Sequence, residues 1–224
     1  REAVSMALRN ANTLSQMTDN AMRYELESIE KGVLRIGRYE AISYFQTQID
    51  KLSQLAKTKK QVIVFEHPQK PFEVWIDVRK FNSIIQNLLS NAIKYSEEGS
   101  TIRLTLYCND RHWGFHVIDN GIGIDREGRS KLFKQIFRAT NAINAKTFGC
   151  GIGLMSIYRY VIQMKGRISV KSAPYRGSDF HTYFPKGKRH YNAENVEYVE
   201  MSSTTLEDTL PSIPEMHEEG IAPS

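Results

Sequence analysis

The stretch NLLSNAIKYS, residues 87–96, combines an apolar helix pattern with polar side chains on one side. Residues four apart share a helix face, so Asn87 and Asn91 form a polar stripe that continues to Lys94 and Tyr95. The positions around this stripe are apolar: Leu88, Leu89, Ala92 and Ile93. The stripe is therefore either solvated or faces a pocket, and the rest of the chain decides between these alternatives.

The composition is that of a soluble globular protein. The chain has 224 residues, of which 41% are hydrophobic and 25% charged, enough for one well-cored domain with extensions. No apolar run approaches the roughly 18 residues of a membrane span, and no signal peptide is apparent. We therefore expect a cytoplasmic domain. Because the chain begins with Arg1 and not Met, we expect a fragment, in which a membrane-bound segment upstream would not be visible.

Cysteine, histidine and charge patterns exclude several classes of protein. Cys108 and Cys150 are too few for a disulfide scaffold, and no histidine forms a zinc-like pair with them, so we expect reduced thiols and no metal site made of protein ligands alone. From residue 191 onward there are eight acidic residues and no Lys or Arg, so the net charge of +5 understates how basic the preceding residues are. No helix-turn-helix or RNA-binding signature is present, so a phosphate ligand is favoured over nucleic acid.

The hydrophobic pattern predicts helices and antiparallel hairpins without strict βαβ alternation. Helices are predicted at about 1–30, 40–58, 78–96 and 152–164. Strands are predicted at 33–39, 61–68, 72–77, 101–108, 112–119, 167–173 and 178–185. A turn with Pro and Lys joins 61–68 to 72–77, and 101–108 and 112–119 form a hairpin around Asn109-Asp110. This order predicts an α+β fold with helices on one face of a mixed sheet.

Three regions follow from these patterns. Residues 1–30 form a helix whose Ala- and Met-rich stripe needs a partner, either in a bundle at a dimer interface or on its own domain. Residues 31–187 form the main domain. Residues 188–224 are acidic, lack periodicity and contain three prolines, which indicates a linker or disordered tail.

Two glycine-rich motifs follow the opening helix. In DNGIGI, residues 119–124, Asp119 ends an apolar strand beside a glycine turn. Such a carboxylate either accepts a hydrogen bond from a ligand amino group, with glycines allowing a flat ring to approach, or makes a simple Asx turn. In FGCGIGL, residues 148–154, a G-x-G-x-G pattern precedes a helix. This pattern either binds an anion at the helix N-terminus or forms a flexible loop. It matches neither a P-loop nor a Rossmann fingerprint.

Taken in order, these motifs resemble the ATP-binding domain of bacterial sensor histidine kinases, in the Bergerat-fold superfamily shared with gyrase-type and chaperone ATPases. NLLSNAIKYS matches the N box, DNGIGI the first glycine box and GCGIGL the second; LFKQIFR, residues 132–138, matches the F box. The resemblance covers about 31–186. It implies a two-layer α/β sandwich of the Bergerat type, here preceded by an N-terminal dimerisation helix.

The resemblance also implies a role for each matched residue. Asp119 would bind the adenine amino group, and Tyr95 would lie beside the adenine. Asn91 would hold the Mg²⁺ that bridges the phosphates, because oxygen is the ligand this hard cation prefers. Lys94 and Arg138 would contact phosphate oxygens. The glycines of the nucleotide site would be Gly121, Gly123, Gly149, Gly151 and Gly153.

Asn87, which completes the catalytic group with Asn91 and Lys94, separates branches of the superfamily. Hydrolysing members carry a glutamate at this position as a general base for water. An asparagine accepts no proton at neutral pH, so the site should hold ATP for transfer of its γ-phosphoryl group, while a lid at about 138–150 folds over the triphosphate. A hydrolytic ATPase is thereby disfavoured.

The expected partners follow from the same resemblance. They are ATP, a phosphoacceptor histidine helix, a response-regulator receiver domain and, in the full-length protein, a second copy. No histidine of this chain lies in a phosphoacceptor context; His67, the first, lies in a strand-turn region of the main domain. Residues 1–30 resemble the second helix of the dimerisation hairpin, so the acceptor helix would lie upstream. The alternative is a nucleotide-binding regulatory module without phosphoryl transfer.

Overall fold

The computed structural model describes residues 33–133, 153–191 and 195–199. The strands are β1 (Leu34–Glu40), β2 (Val62–Glu66), β3 (Glu73–Asp77), β4 (Thr101–Cys108), β5 (His112–Asp119), β6 (Arg167–Ser172), β7 (Ser178–Pro185) and β8 (Val196–Tyr198). The helices are α1 (Ala41–Thr58), α2 (Val78–Tyr95), α3 (Arg126–Lys131) and α4 (Gly153–Gln163). The predicted helix at 1–30 lies outside the described residues.

The larger sheet has five strands in the order β2-β4-β5-β7-β6. Strands β2 and β4 run parallel, and the other neighbours are antiparallel. The predicted hairpin of β4 and β5 is present, with Asn109 in its turn accepting the backbone N–H of Arg111 and of His112 through its side chain. The predicted mixed sheet is confirmed.

Helices α1, α2 and α4 cover one face of this sheet and bury the main core. In β7 the side chains alternate, so that Phe180, Thr182 and Phe184 are buried, as expected for a sheet covered on one face. Phe81 of α2 is fully buried at the centre of an aromatic cluster, with ring centroids 5.5–6.0 Å from those of five neighbours. These are Tyr44, Phe45, Trp113, Phe115 and Phe184. This confirms the predicted α+β sandwich.

A second sheet has three strands in the order β3-β1-β8. The strand predicted at 72–77 runs antiparallel to β1. Residues 196–198, assigned to the linker or tail, pair with β1 in parallel. A three-residue strand is too short to show periodicity, which is why the sequence pattern does not reveal it.

Acidic side chains cap the helices that position the site. Glu40 accepts the backbone N–H groups of Ile42 and Ser43 at the start of α1, and Asp77 accepts that of Lys80 at the start of α2. Such caps satisfy backbone donors that have no partner within the helix. Across the described residues, no helix combines the length and apolar character that a membrane span requires.

Candidate functional site

The polar stripe of α2 is neither fully solvated nor buried. Asn87, Asn91, Lys94 and Tyr95 are all partly exposed, whereas the opposite side of the helix is buried in the core. At 1.5 Å per residue, the stripe from Asn87 to Tyr95 is about 12 Å long. Its two ends contact the two glycine motifs, so the stripe is not a free surface.

Asn87 marks the end of the stripe near α4. Its Nδ2 atom donates a hydrogen bond to the carbonyl of Ser83, 2.8 Å away in the same helix. A Cβ atom placed on Gly153 would lie 2.3 Å from Asn87 Oδ1. Only a glycine lets the start of α4 approach α2 this closely, so the structure brings Gly153 to the stripe.

Lys94 and Tyr95 form the other end. The Lys94 ammonium lies 5.0 Å from the centroid of the Tyr95 ring, in a cation–π arrangement. The Tyr95 carbonyl accepts the backbone N–H of Ile122 at 3.2 Å. A Cβ atom on Gly121 would lie only 2.4 Å from that same oxygen. The absence of a side chain at Gly121 is therefore what seats the first glycine motif against the helix.

Asp119 ends β5 with its carboxylate almost completely buried. Its side chain accepts the backbone N–H of Gly121 at 2.8 Å. Burial raises the pKa of Asp119 from 3.8 to about 6, and hydrogen bonds from the backbone of Gly121 and Ser178 oppose that rise. A buried carboxylate that stays ionised at neutral pH is a strong acceptor for a ligand N–H group.

The turn between β6 and β7 supports this glycine motif, and the sequence analysis missed its contribution. Gly123 has φ +66° and a Cβ there would lie 1.9 Å from the carbonyl oxygen of Ala173. A Cβ on Gly177 would lie 1.9 Å from the carbonyl oxygen of Asp119. The Ser172 hydroxyl accepts the N–H of Ile124 at 2.8 Å. The Pro and Gly of APYRGS, residues 173–178, are the sequence signal that points to this turn.

Part of the predicted site lies outside the described residues, namely Arg138, Gly149 and Gly151. Of the F-box stretch, the structure describes only its first two residues. Leu132 is buried, and the Phe133 ring stacks on that of Tyr158 with centroids 5.7 Å apart. The predicted phosphate side of the site is therefore represented by Lys94, Asn91 and Gly153 alone.

The residues present fit a magnesium ion that is held largely by phosphates. Within the described ranges, no three His, Cys, Asp or Glu side chains gather as a metal cluster. Asn91 offers a hard oxygen ligand on the partly exposed face of α2, and its side chain hydrogen-bonds to no described residue. Mg²⁺ is commonly bound by one or two protein oxygens together with substrate phosphates and water.

Fold and site together define a nucleotide-binding α/β sandwich, with a buried acidic acceptor and a polar helix as its walls. The family described as "Histidine kinase-, DNA gyrase B-, and HSP90-like ATPase" matches residues 76–188, about half of the chain. This chain belongs to that family. The matched range includes Asn87, Asp119 and all of the glycines discussed above.

Its relatives include sensor histidine kinases. Sensor histidine kinase YcbM of Bacillus subtilis (strain 168) is 34% identical over 113 residues, 50% of this chain and 36% of that protein. Histidine kinase P4 of Formosa agariphila is 25% identical over 219 residues, 95% of this chain and 16% of that protein. This chain thus spans about a third or less of the length of these relatives.

Solved structures support the same fold. The catalytic domain of histidine kinase ThkA superposes with a TM-score of 0.60 at 19% sequence identity. The match covers 68% of this chain and 99% of that one. The two-layer architecture is therefore that of a histidine kinase catalytic domain.

Proposed function

We propose that this chain is the ATP-binding catalytic portion of a two-component sensor histidine kinase. It would transfer the γ-phosphoryl group of ATP to a histidine on a dimerisation helix outside this chain. A response-regulator receiver domain would then accept the phosphoryl group on an aspartate. The observation that carries this proposal is the buried carboxylate of Asp119, joined through Gly121 to the polar helix that bears Asn91 and Lys94.

Each side chain has a distinct part in the proposal. Asp119 accepts the adenine amino group, and the Tyr95 ring lies at the adenine side of the site. Lys94 binds phosphate oxygens through its ammonium group, and Asn91 gives its amide oxygen to the magnesium ion. When bound, Mg²⁺ would supply positive charge that offsets the negative charge developing during transfer.

The phosphate side of the proposed site includes further residues that the sequence motifs identify. Arg138 adds a second phosphate contact, and Gly149, Gly151 and Gly153 let the lid cover the triphosphate. Gly153 already meets α2 at Asn87, which supports a path for the lid from the start of α4 towards the stripe.

Asn87 supports transfer in preference to hydrolysis. Its Nδ2 atom donates a hydrogen bond to the Ser83 carbonyl, and its amide oxygen faces Gly153. An amide oxygen does not take a proton from water at neutral pH, so Asn87 supplies no general base. ATP should therefore persist in the site until an acceptor histidine arrives.

The second candidate function is a regulatory module in which ATP changes partner binding without phosphoryl transfer. It is favoured by the setting of His67, an exposed residue just after β2 whose Nδ1 atom lies 2.9 Å from the Pro68 carbonyl. This histidine is not on a helix, unlike a phosphoacceptor. The kinase proposal therefore requires an acceptor histidine on a separate segment. In a homodimer of the full-length protein, that segment would belong to the same chain or to the partner chain.

Titration with ATP, with and without Mg²⁺, tests the binding step in the wild type and in Asp119→Asn. We expect the variant to bind about 10- to 100-fold more weakly, because a hydrogen bond to a charged acceptor contributes about 1.5–3 kcal/mol. A phosphotransfer assay with a supplied acceptor hairpin then separates the two functions. Labelled hairpin supports the kinase, and ATP binding without labelling supports the regulatory module. Equal affinity in the variant would overturn the site assignment.

A further inference from the structure

A lysine at the end of α1 covers the C-terminal end of α2. The ammonium of Lys59 donates hydrogen bonds to three backbone carbonyls, those of Ile93 at 2.8 Å, Lys94 at 3.1 Å and Ser96 at 2.9 Å. The last carbonyls of a helix have no partner within it and carry its negative dipole end. Lys59 therefore supplies both donors and a positive charge where α2 needs them.

Gln61 reaches the same place from the loop that follows α1. Its side chain is buried, and Nε2 donates to the carbonyls of Ile93, Ser96 and Glu97 at 3.1, 3.2 and 3.0 Å. The opposite amide orientation would aim an oxygen at three carbonyl oxygens, so the network fixes the orientation. Its Oε1 atom has no hydrogen-bond partner in the described part of the chain. The hydrogen bonds from Nε2 to three carbonyls offset the cost of leaving this oxygen unpaired.

These carbonyls belong to the turn that carries the phosphate side of the proposed site. A lysine in the last turn of a helix ordinarily binds the free carbonyls of its own helix. Lys94 occupies such a position, yet Lys59 and Gln61 already hold those carbonyls. The Lys94 ammonium instead lies over the Tyr95 ring.

We infer that Lys59 and Gln61 are positioning residues for the phosphate end of the nucleotide site. They saturate the carbonyls at the end of α2 and thereby leave the Lys94 ammonium free to meet the phosphates of ATP. The Tyr95 carbonyl, which neither of them occupies, holds Ile122 of the first glycine motif. The inference rests on the proposed ATP site and adds two residues that do not touch the nucleotide.

The test compares ATP with adenosine, which lacks phosphates, by calorimetric titration of the 224-residue chain. In Lys59→Met we expect Mg-ATP affinity to fall about two- to tenfold, the range of one net hydrogen bond, with adenosine affinity unchanged. Lys60→Met is the matched control, because the Lys60 ammonium pairs with the exposed Glu98, at 2.7 Å. Lys60→Met should bind both ligands as the wild type does.

Two further comparisons separate positioning from a general structural role. If Lys59 acts through Lys94, Lys59→Met should have no further effect on ATP affinity in a Lys94→Ala background. Lys59→Arg, which keeps the charge and donors, should retain most of the affinity. Gln61→Leu, which removes the donors at similar volume, should repeat the selective loss for ATP. It provides the same readout if Lys59→Met does not fold, as judged by circular dichroism.

Several results would overturn the inference. They are an equal loss of ATP and adenosine binding in the folded variants, no loss at all, or full additivity with Lys94→Ala. If one of these results is found while the wild type binds ATP and Asp119→Asn weakens that binding, the proposed function stands. The positioning role of Lys59 and Gln61 is then removed. Absence of ATP binding in the wild type would remove the proposed function itself and the inference with it.

Discussion

Replacing Asp119 with asparagine should stabilise the fold while it weakens ATP binding. The pKa of this buried carboxyl is about 6, against 3.8 for an exposed aspartate. One pKa unit corresponds to about 1.4 kcal/mol, so ionised Asp119 lowers the free energy of unfolding by about 3 kcal/mol at neutral pH. An asparagine keeps an oxygen for the Gly121 N–H and carries no charge to desolvate. The gain should therefore lie between zero and that value.

The pH dependence identifies the cause of the stabilisation. Between pH 3.8 and about 6 the folded wild type binds more protons than the unfolded chain, so its stability falls as the pH rises through that window. Above about pH 6 the destabilisation by ionised Asp119 is complete, and below pH 3.8 it is absent. The variant lacks this titration. The stability difference between variant and wild type should thus grow by about 2 kcal/mol from about pH 4.5 to about pH 7.5.

Urea unfolding of both proteins at a series of pH values measures this difference, and all other titrating groups cancel in the comparison. We expect the two stability curves to diverge with rising pH, with the variant above the wild type. A difference that does not change with pH, or a variant that becomes progressively less stable as the pH rises, would refute the reasoning that desolvation dominates at Asp119.

Four other predictions concern the site and the core. With ionised Asp119 as the proposed acceptor, adenosine affinity should fall about tenfold per pH unit below about 6. A flat pH profile in calorimetric titration would contradict this. Gly123→Ala should lower the free energy of unfolding by about 3 kcal/mol or more through steric overlap. Gly99→Ala, at φ +76° in open space, should lower it by only about 1 kcal/mol. Equal urea midpoints for the two variants would refute the packing argument. Phe81→Ala should cost about 3–5 kcal/mol by the same assay, and a loss below about 1 kcal/mol would show that the aromatic cluster is not a single packed unit. ATP hydrolysis should be slow and unchanged in Asn87→Ala, and a fast activity lost in that variant would favour a hydrolytic ATPase.

Much of the main sandwich is predictable because its elements have clear periodicity. In β5, Trp113, Phe115 and Val117 alternate with partly exposed or small residues and face the helices, as a half-buried strand requires. The pairing of β3 with β1 is not predictable in this way. Alternation indicates which face of a strand is buried, but it carries no information about which distant strand lies beside it.

The residues of the candidate site likewise fall into a predictable and an unpredictable group. Asp119, Gly121 and the stripe from Asn87 to Tyr95 lie in local motifs, so the sequence order alone brings them to notice. Lys59 and Gln61 act on carbonyls more than thirty residues away along the chain. Backbone carbonyls have no side-chain identity, so no residue pattern marks where such donors will bind. Their contribution emerges only from the tertiary structure.

The short strand β8 determines how the domain bears mechanical load. It runs parallel to β1, from Leu34 beside Val196 to Ile36 beside Tyr198. The chain therefore enters this pair at residue 33 and leaves it at residue 199, at opposite ends of a ladder about 10 Å long. Tension between the adjoining segments would pull the strands past each other and strain all of their hydrogen bonds together, instead of peeling them apart one by one. That force would run along β1 and β8, neither of which carries a residue of the proposed nucleotide site.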